Sequence, residues 1–110
     1  MALVPAKTWI NNTAPPLPSN VSQNNNVISW TTSANARYYV VYRVTSATPG
    51  SGNAATVIQD ASKIVARVWN TDAATLTFTD TGVSNPGRYR YIVTAVNGAH
   101  VESAPVIATK

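Results

Sequence analysis

Segment 87–97 constrains the fold of this chain most, because the character of its side chains alternates along its whole length. Successive side chains of a β-strand point to opposite faces, so the alternation sorts them into two sets. One set is aromatic and aliphatic, and the other is largely polar. The first set is Tyr89, Tyr91, Val93 and Ala95, and the second is Arg88, Arg90, Ile92 and Thr94. The segment predicts a half-buried strand whose first face meets the core and whose second face meets solvent.

Segments of similar character recur along the chain, separated by intervals rich in Asn, Gly, Pro and Ser. Branched and aromatic side chains favour strands, whereas the residues of the intervals favour turns. The other predicted strands span 20–23, 27–30, 36–44, 64–69, 75–80 and 103–109. Seven short strands without a sustained helical period predict an all-β fold, an immunoglobulin-like antiparallel β-sandwich.

The sequence divides into a short leading segment and one domain. Residues 1–14 are predicted to be a linker or tail from a preceding domain, because the polar run 11–13 interrupts any strand pattern. Residues 15–110 suffice for one domain with a buried core. The first residues lack the basic-then-apolar order of a signal peptide, so we expect any export signal to lie outside this sequence.

The composition excludes several classes of function. Cysteine is absent, which rules out disulfides and thiolate metal sites. The net charge of +4 arises from eight basic and four acidic residues, and the basic ones are scattered along the sequence. Nucleic-acid binders cluster such charges, so we expect no nucleic-acid partner. No apolar run approaches the roughly 20 residues of a membrane span, and we expect none.

Catalytic and metal sites need several reactive or ligating side chains that converge. The carboxylates are Asp60, Asp72, Asp80 and Glu102, and their positions in turns or at strand ends favour a structural role. His100 is the single histidine and lies in a predicted surface loop, which leaves no ligand set for a metal. We therefore expect no catalytic residue, no metal site and no cofactor.

Aromatic residues are the candidates for contact with a ligand or partner. Tyr38 and Tyr42 share the strand face that is expected to point away from the core. Aromatic faces on a sheet can stack against sugar rings. The alternatives are cross-strand packing of the two tyrosines and docking of Trp9 against a preceding domain. The candidate contact residues are Tyr38, Tyr42, Trp69 and Trp9.

Several motifs, taken in order, resemble a fibronectin type III domain. They are the prolines of 15–18, Trp30, the Tyr-Val-Val-Tyr-Arg run 39–43, the Phe-Thr-Asp-Thr run 78–81, and Tyr89 six residues after Val83. The resemblance covers residues 15–110. It implies that Trp30 packs between two sheets and that the Tyr89 hydroxyl bonds to the backbone near Val83. The core that it implies comprises Trp30, Tyr39, Val41, Phe78, Tyr89, Tyr91 and Val93.

The middle of the chain departs from that resemblance. Segment 45–63 is long for such a domain, and it carries the apolar pair Val57 and Ile58. We expect this segment to form an extended loop or a short helical turn laid over a sheet edge. Asp60 is placed to cap a helical turn at 61–63, since aspartate is a favourable residue before a helix.

The leading residues also resemble a junction in certain bacterial glycoside hydrolases, where a fibronectin type III module follows a TIM-barrel catalytic domain. This resemblance implies a non-catalytic accessory module, a spacer or domain-packing unit, of an extracellular or cell-envelope enzyme. The implied partner is the adjacent catalytic domain of the same chain, contacted through Trp9, Ile10 and one sheet face, with polysaccharide as a second candidate. The alternative is a module that binds carbohydrate or protein through its exposed aromatic residues.

Overall fold

Short strands and turns make up most of the chain, as the alternation of its side chains predicts. The computed structural model describes residues 14–45, 51–71, 73–85 and 88–109. Within these ranges, one α-helix, α1 (Ser51–Val57), and one 3₁₀ turn (Ala61–Lys63) lie between the third and fourth strands. The strands are β1 (Ser19–Asn24), β2 (Val27–Thr31), β3 (Tyr38–Thr45), β4 (Ile64–Trp69), β5 (Thr75–Thr79), β6 (Tyr89–Val96) and β7 (Val106–Ile107).

The strands form two antiparallel sheets. The smaller sheet has the order β1–β2–β5, and the larger has the order β4–β3–β6–β7. The turn between β1 and β2 holds Asn25 at φ 55°, a left-handed conformation that asparagine tolerates better than most residues. The predicted fold class is confirmed: the domain is an all-β, immunoglobulin-like sandwich of seven antiparallel strands.

The core lies between the two sheets and centres on Trp30. This indole is fully buried, and its ring lies 5.4 Å from that of Tyr39 on the opposite sheet. Phe78 and Tyr89, which the sequence also assigns to the core, are half-buried at its margin. The other assigned residues are fully buried, namely Trp30, Tyr39, Val41, Tyr91 and Val93.

Part of the outer face of the larger sheet is buried, although the alternation predicted that this face would meet solvent. Ile92 and Thr94 on β6 are fully buried, so the prediction that they meet solvent is wrong. Helix α1 and the turn after it cover this part of the sheet through Ala54, Val57 and Ile58. These covering residues come from the long middle segment, which the sequence predicted to lie over a sheet edge as an extended loop or short helical turn. The segment instead packs on the sheet face, against Val40 and Ile92.

The 3₁₀ turn after the helix begins at the predicted cap. Oδ1 of Asp60 accepts a hydrogen bond from the backbone N–H of Ser62 at 3.0 Å. Such a bond satisfies one of the N–H groups that the first helical turn leaves without a partner. Among the residues that the structure describes, no helix has the length and apolar character needed to cross a membrane.

A tyrosine hydroxyl anchors the turn after β5, but it belongs to Tyr91 rather than to Tyr89. The Tyr91 hydroxyl donates to Oδ2 of Asp80 at 2.7 Å. Tyr89 instead lies at the sheet margin, where the guanidinium carbon of Arg43 is 5.1 Å from its ring centroid. This corrects the role expected for Tyr89. Since Tyr91 is the fully buried member of the pair, its hydroxyl is the one that requires an internal partner.

Candidate functional site

A depression lies at one end of the outer face of the larger sheet. Helix α1 and the turn after it cover the end of this face that holds Tyr42. At the other end, the side chain of Trp69 is exposed. The depression has a volume of about 270 Å³. Its lining side chains are Tyr38, Arg67, Trp69 and His100.

Strand register brings the two aromatic side chains of the depression together. Tyr38 on β3 pairs directly with Trp69 on β4, and side chains of directly paired residues lie on the same face. Arg67 precedes Trp69 by two residues, so the alternation of β4 places both on this face. Paired strands hold their backbones in place, which makes this a rigid platform.

His100 reaches the depression from the loop after β6. Its backbone adopts φ 63°, a left-handed conformation that is uncommon for residues other than glycine. The side chain of Asn97 fixes the loop, since its Oδ1 accepts from the N–H groups of Ala99 at 2.9 Å and Val101 at 3.0 Å. The loop therefore presents the imidazole at a defined position beside Tyr38.

The rings of the depression form a connected, concave surface. The centroids of Tyr38 and Trp69 lie 5.5 Å apart with an interplanar angle of 64°, an edge-to-face arrangement that aromatic pairs favour. The Tyr38 hydroxyl lies 3.3 Å from Nδ1 of His100, within hydrogen-bond distance. Trp69 remains 64% exposed, which is unusual for so large an apolar side chain and leaves most of its surface available.

The charge of the depression is positive. Arg67 is exposed, and the ion pair of the described residues joins Arg43 to Asp80 rather than involving Arg67. Glu102 accepts hydrogen bonds from the hydroxyls of Tyr42 and Thr94. The carboxylate of Glu102 is thus engaged within the fold and does not line the depression.

Tyr42, a candidate contact residue from the sequence, is not available to a ligand. It is 2% exposed and packs under the helix with Val57 and Ile58. Burial, and then its hydrogen bond to Glu102, raise the pKa of the Tyr42 hydroxyl. The expectation that this tyrosine faces solvent is wrong, because the covering segment is distant in sequence and docks on that end of the sheet.

The other candidates have different outcomes. Tyr38 is half-buried and Trp69 is exposed, and the structure brings these two together. Trp9 lies outside the described residues. The sequence reasoning missed Arg67 and His100. The position of Arg67 on the same strand face as Trp69 was available as a signal, whereas no local pattern places the His100 loop beside β3.

The described carboxylates hold the fold together. Asp60 caps the 3₁₀ turn, and Asp80 accepts from Arg43, Tyr91 and the N–H of Gly82. Asp72 lies outside the described residues. Within the described part of the chain, no group of three or more His, Asp or Glu side chains is placed to hold a metal ion.

Comparisons with known proteins add one similar structure. Neither a protein-family model nor a curated protein matches the chain. Among solved structures, the chain is similar to a Fn3-like protein from Clostridium thermocellum, with 25% sequence identity and a TM-score of 0.49. The match covers 88% of this chain and 94% of that one. The strand order of the two sheets and the core buried between them define the fold of this chain.

Proposed function

We propose that this domain is a non-catalytic accessory module of a larger bacterial enzyme that acts on carbohydrate, located outside the cell or in its envelope. The resemblance of its motifs to modules that follow a catalytic barrel supports this context. The bonding of Asp80 and Glu102 within the fold supports the non-catalytic role. Glycoside hydrolysis needs two accessible carboxyl groups about 5 to 10 Å apart across the scissile bond.

A direct assay tests the non-catalytic role. The purified chain is incubated with a panel of aryl glycosides and soluble polysaccharides, and released reducing sugar is measured. We expect no release above a buffer blank. Release that persists through repeated purification and disappears in the variants Asp80→Asn or Glu102→Gln would overturn the proposal.

The exposed pair of Trp69 and Tyr38 favours a more specific role, binding of polysaccharide. The indole is 64% exposed on a paired strand, and the phenol packs against it edge to face. A sugar ring presents an apolar face of C–H groups, and aromatic side chains provide a matching surface at little cost in conformational entropy. This exposed indole is the observation on which the binding role depends.

Affinity electrophoresis through gels that contain soluble polysaccharides tests this role. We expect at least one polysaccharide to slow migration of the wild-type chain, and Trp69→Ala to abolish the effect. Tyr38→Ala is expected to weaken it at least fivefold. Leu17→Ala is the matched control, because it truncates another exposed apolar side chain, 49% exposed, and is expected to bind as the wild type does.

The outcomes separate the binding role from a spacer role. Thermal unfolding of each variant establishes that the fold is retained, since Trp69 contributes little to the core. Unchanged migration of the wild-type chain in every gel would overturn the binding role and leave the spacer or domain-packing role. Equal weakening by Leu17→Ala and Trp69→Ala would also overturn it.

A further inference from the structure

We propose that the depression lined by Tyr38, Arg67, Trp69 and His100 binds an acidic polysaccharide, one that carries carboxylates on its sugar rings. This inference rests on the proposed binding role and adds the charge of the ligand. It depends on the juxtaposition of one guanidinium with an exposed aromatic pair.

Arg67 supplies the charge that such a ligand requires. A guanidinium is planar, carries five N–H donors, and matches a carboxylate with two parallel hydrogen bonds. Arg67 is exposed, and no carboxylate of the described residues lies within ion-pair distance of it. Its capacity to bind an anion is therefore not used by the described part of the fold.

The spacing along β4 fits a sugar ring with a charged substituent. Arg67 and Trp69 are two residues apart on one face, which separates their Cα atoms by about 7 Å along the strand. A sugar ring stacked on the indole thus brings its substituents within reach of the guanidinium, which extends beyond its own backbone position. Nδ1 of His100 lies 3.3 Å from the Tyr38 hydroxyl, and the second ring nitrogen, Nε2, is a further polar group that a sugar hydroxyl could bond.

The described side chains that line the depression include no carboxylate. Glu102 is the carboxylate that β6 and its loop bring to this sheet face, and it is held by the hydroxyls of Tyr42 and Thr94. The chain as a whole carries a net charge of +4, which favours approach of a polyanion.

The test compares each acidic polysaccharide with a neutral form of itself. Dissociation constants are measured by affinity electrophoresis with polygalacturonate and alginate, and with their esterified forms, in which the carboxylate is a neutral ester. We expect the wild-type chain to bind at least one acid form at least tenfold more tightly than its ester. Arg67→Gln is expected to lose at least tenfold on the acid form and to bind the ester unchanged.

Arg88→Gln is the matched control for non-specific attraction. It removes the same charge from another exposed arginine, which precedes β6 at the end of the sheet where Tyr89 pairs with Thr45. This end is about 23 Å from the depression along β6. We expect Arg88→Gln to bind the acid form within twofold of the wild type.

Three results would overturn the inference, and they have different consequences. Equal binding of acid and ester forms that still requires Trp69 would remove the charge preference and leave the carbohydrate-binding role. Equal losses in Arg67→Gln and Arg88→Gln would show attraction by net charge alone. Absence of binding to every polysaccharide would overturn both the inference and the binding role, and binding of a single-stranded oligonucleotide in place of every polysaccharide would have the same consequence.

Discussion

The hydroxyl of Tyr91 and Oδ2 of Asp80 lie 2.7 Å apart, and this bond ties β6 to the turn after β5. Arg43 on β3 donates to the same oxygen, also at 2.7 Å. The backbone of Asp80 is bonded to Asn26 at the tip of the β1–β2 hairpin, by N–H to carbonyl at 2.8 Å and by the Asn26 amide at 3.0 Å. Asp80 therefore joins the two sheets at this corner of the sandwich.

Replacing the Tyr91 hydroxyl is expected to destabilise the domain more than replacing that of Tyr89. Tyr91→Phe leaves the buried carboxylate of Asp80 without one of its donors, and a hydrogen bond to a charged group contributes about 1.5–3 kcal/mol. Tyr89→Phe keeps the ring under Arg43 and removes a hydroxyl that is not involved in the corner. Urea unfolding should give a loss of about 2 kcal/mol for Tyr91→Phe and less than about 0.5 kcal/mol for Tyr89→Phe. The reverse order would restore the corner role to Tyr89.

The ionisation of Asp80 predicts how stability depends on pH. Burial by itself would raise the pKa of this carboxyl, but the hydrogen bonds from Tyr91, Arg43 and the Gly82 N–H outweigh it and hold the pKa below the usual value. Because the folded-state pKa is depressed, this stabilisation is present above the unfolded-state pKa of about 3.9 and is lost as the pH falls through the folded-state value.

Asp80→Asn is expected to remove that part of the pH dependence. At pH 7 the variant should lose about 2–3 kcal/mol of unfolding free energy, and the difference from the wild type should shrink as the pH falls below about 4. The pKa of Asp60 is also lowered, because the hydroxyl and then the backbone N–H of Ser62 donate hydrogen bonds to its carboxylate. The wild type and the Asp80→Asn variant share this contribution. Urea unfolding at pH 7 and pH 2.5 provides the measurement. A difference that stays constant over this interval would contradict the assignment.

The hydroxyl of Thr94 is expected to stabilise the covered end of the sheet. Thr94 is fully buried, and its Oγ1 donates to Glu102. Thr94→Val keeps the shape of the side chain but removes this bond to a carboxylate, which should cost about 1.5–3 kcal/mol. Thr77→Val on the exposed face of β5 is the matched control and should change stability by less than about 0.5 kcal/mol. Equal effects in denaturant unfolding would argue against a structural role for the Glu102 cluster.

The covering role of the middle segment is expected to appear when Ile58 is truncated. Ile58 is half-buried against the cluster that contains Val40 and Ile92. Ile58→Ala should cost about 1–2 kcal/mol, below the full range for a buried isoleucine, and should increase binding of an apolar dye to the newly exposed sheet face. Gln59→Ala, at an exposed neighbouring position, should do neither. Unchanged dye binding by Ile58→Ala would indicate that the segment does not shield the sheet.

The strands themselves were largely predictable from the sequence, because alternation and turn residues are local signals. The predicted strand 64–69 coincides with β4, and the buried face of β6 holds the aromatic and aliphatic residues that alternation assigned to it. Trp30 and Tyr39 likewise meet in the core as expected. For the candidate site, the exposed Trp69 and its neighbour Tyr38 were among the residues proposed from the sequence.

What alternation cannot determine is which parts of an outer face become covered. Tyr42 and Thr94 were placed correctly on the face away from the central core, yet both are buried, because α1 docks there from a segment with no strong helical pattern. The partner of a buried hydroxyl is similarly non-local, which is why Tyr91 rather than Tyr89 holds the corner.

The sequence by itself determined the strands, their two faces and the seven-stranded sandwich. A half-buried strand alternates apolar and polar side chains, so its local sequence shows which face is buried. Tertiary structure alone decided that the helix covers one end of the larger sheet and leaves the end with Trp69 open. It also decided that His100 and Arg67 flank the aromatic pair. Such arrangements depend on how segments distant in sequence pack against each other. The energy of these contacts cannot be inferred from the residues of one segment.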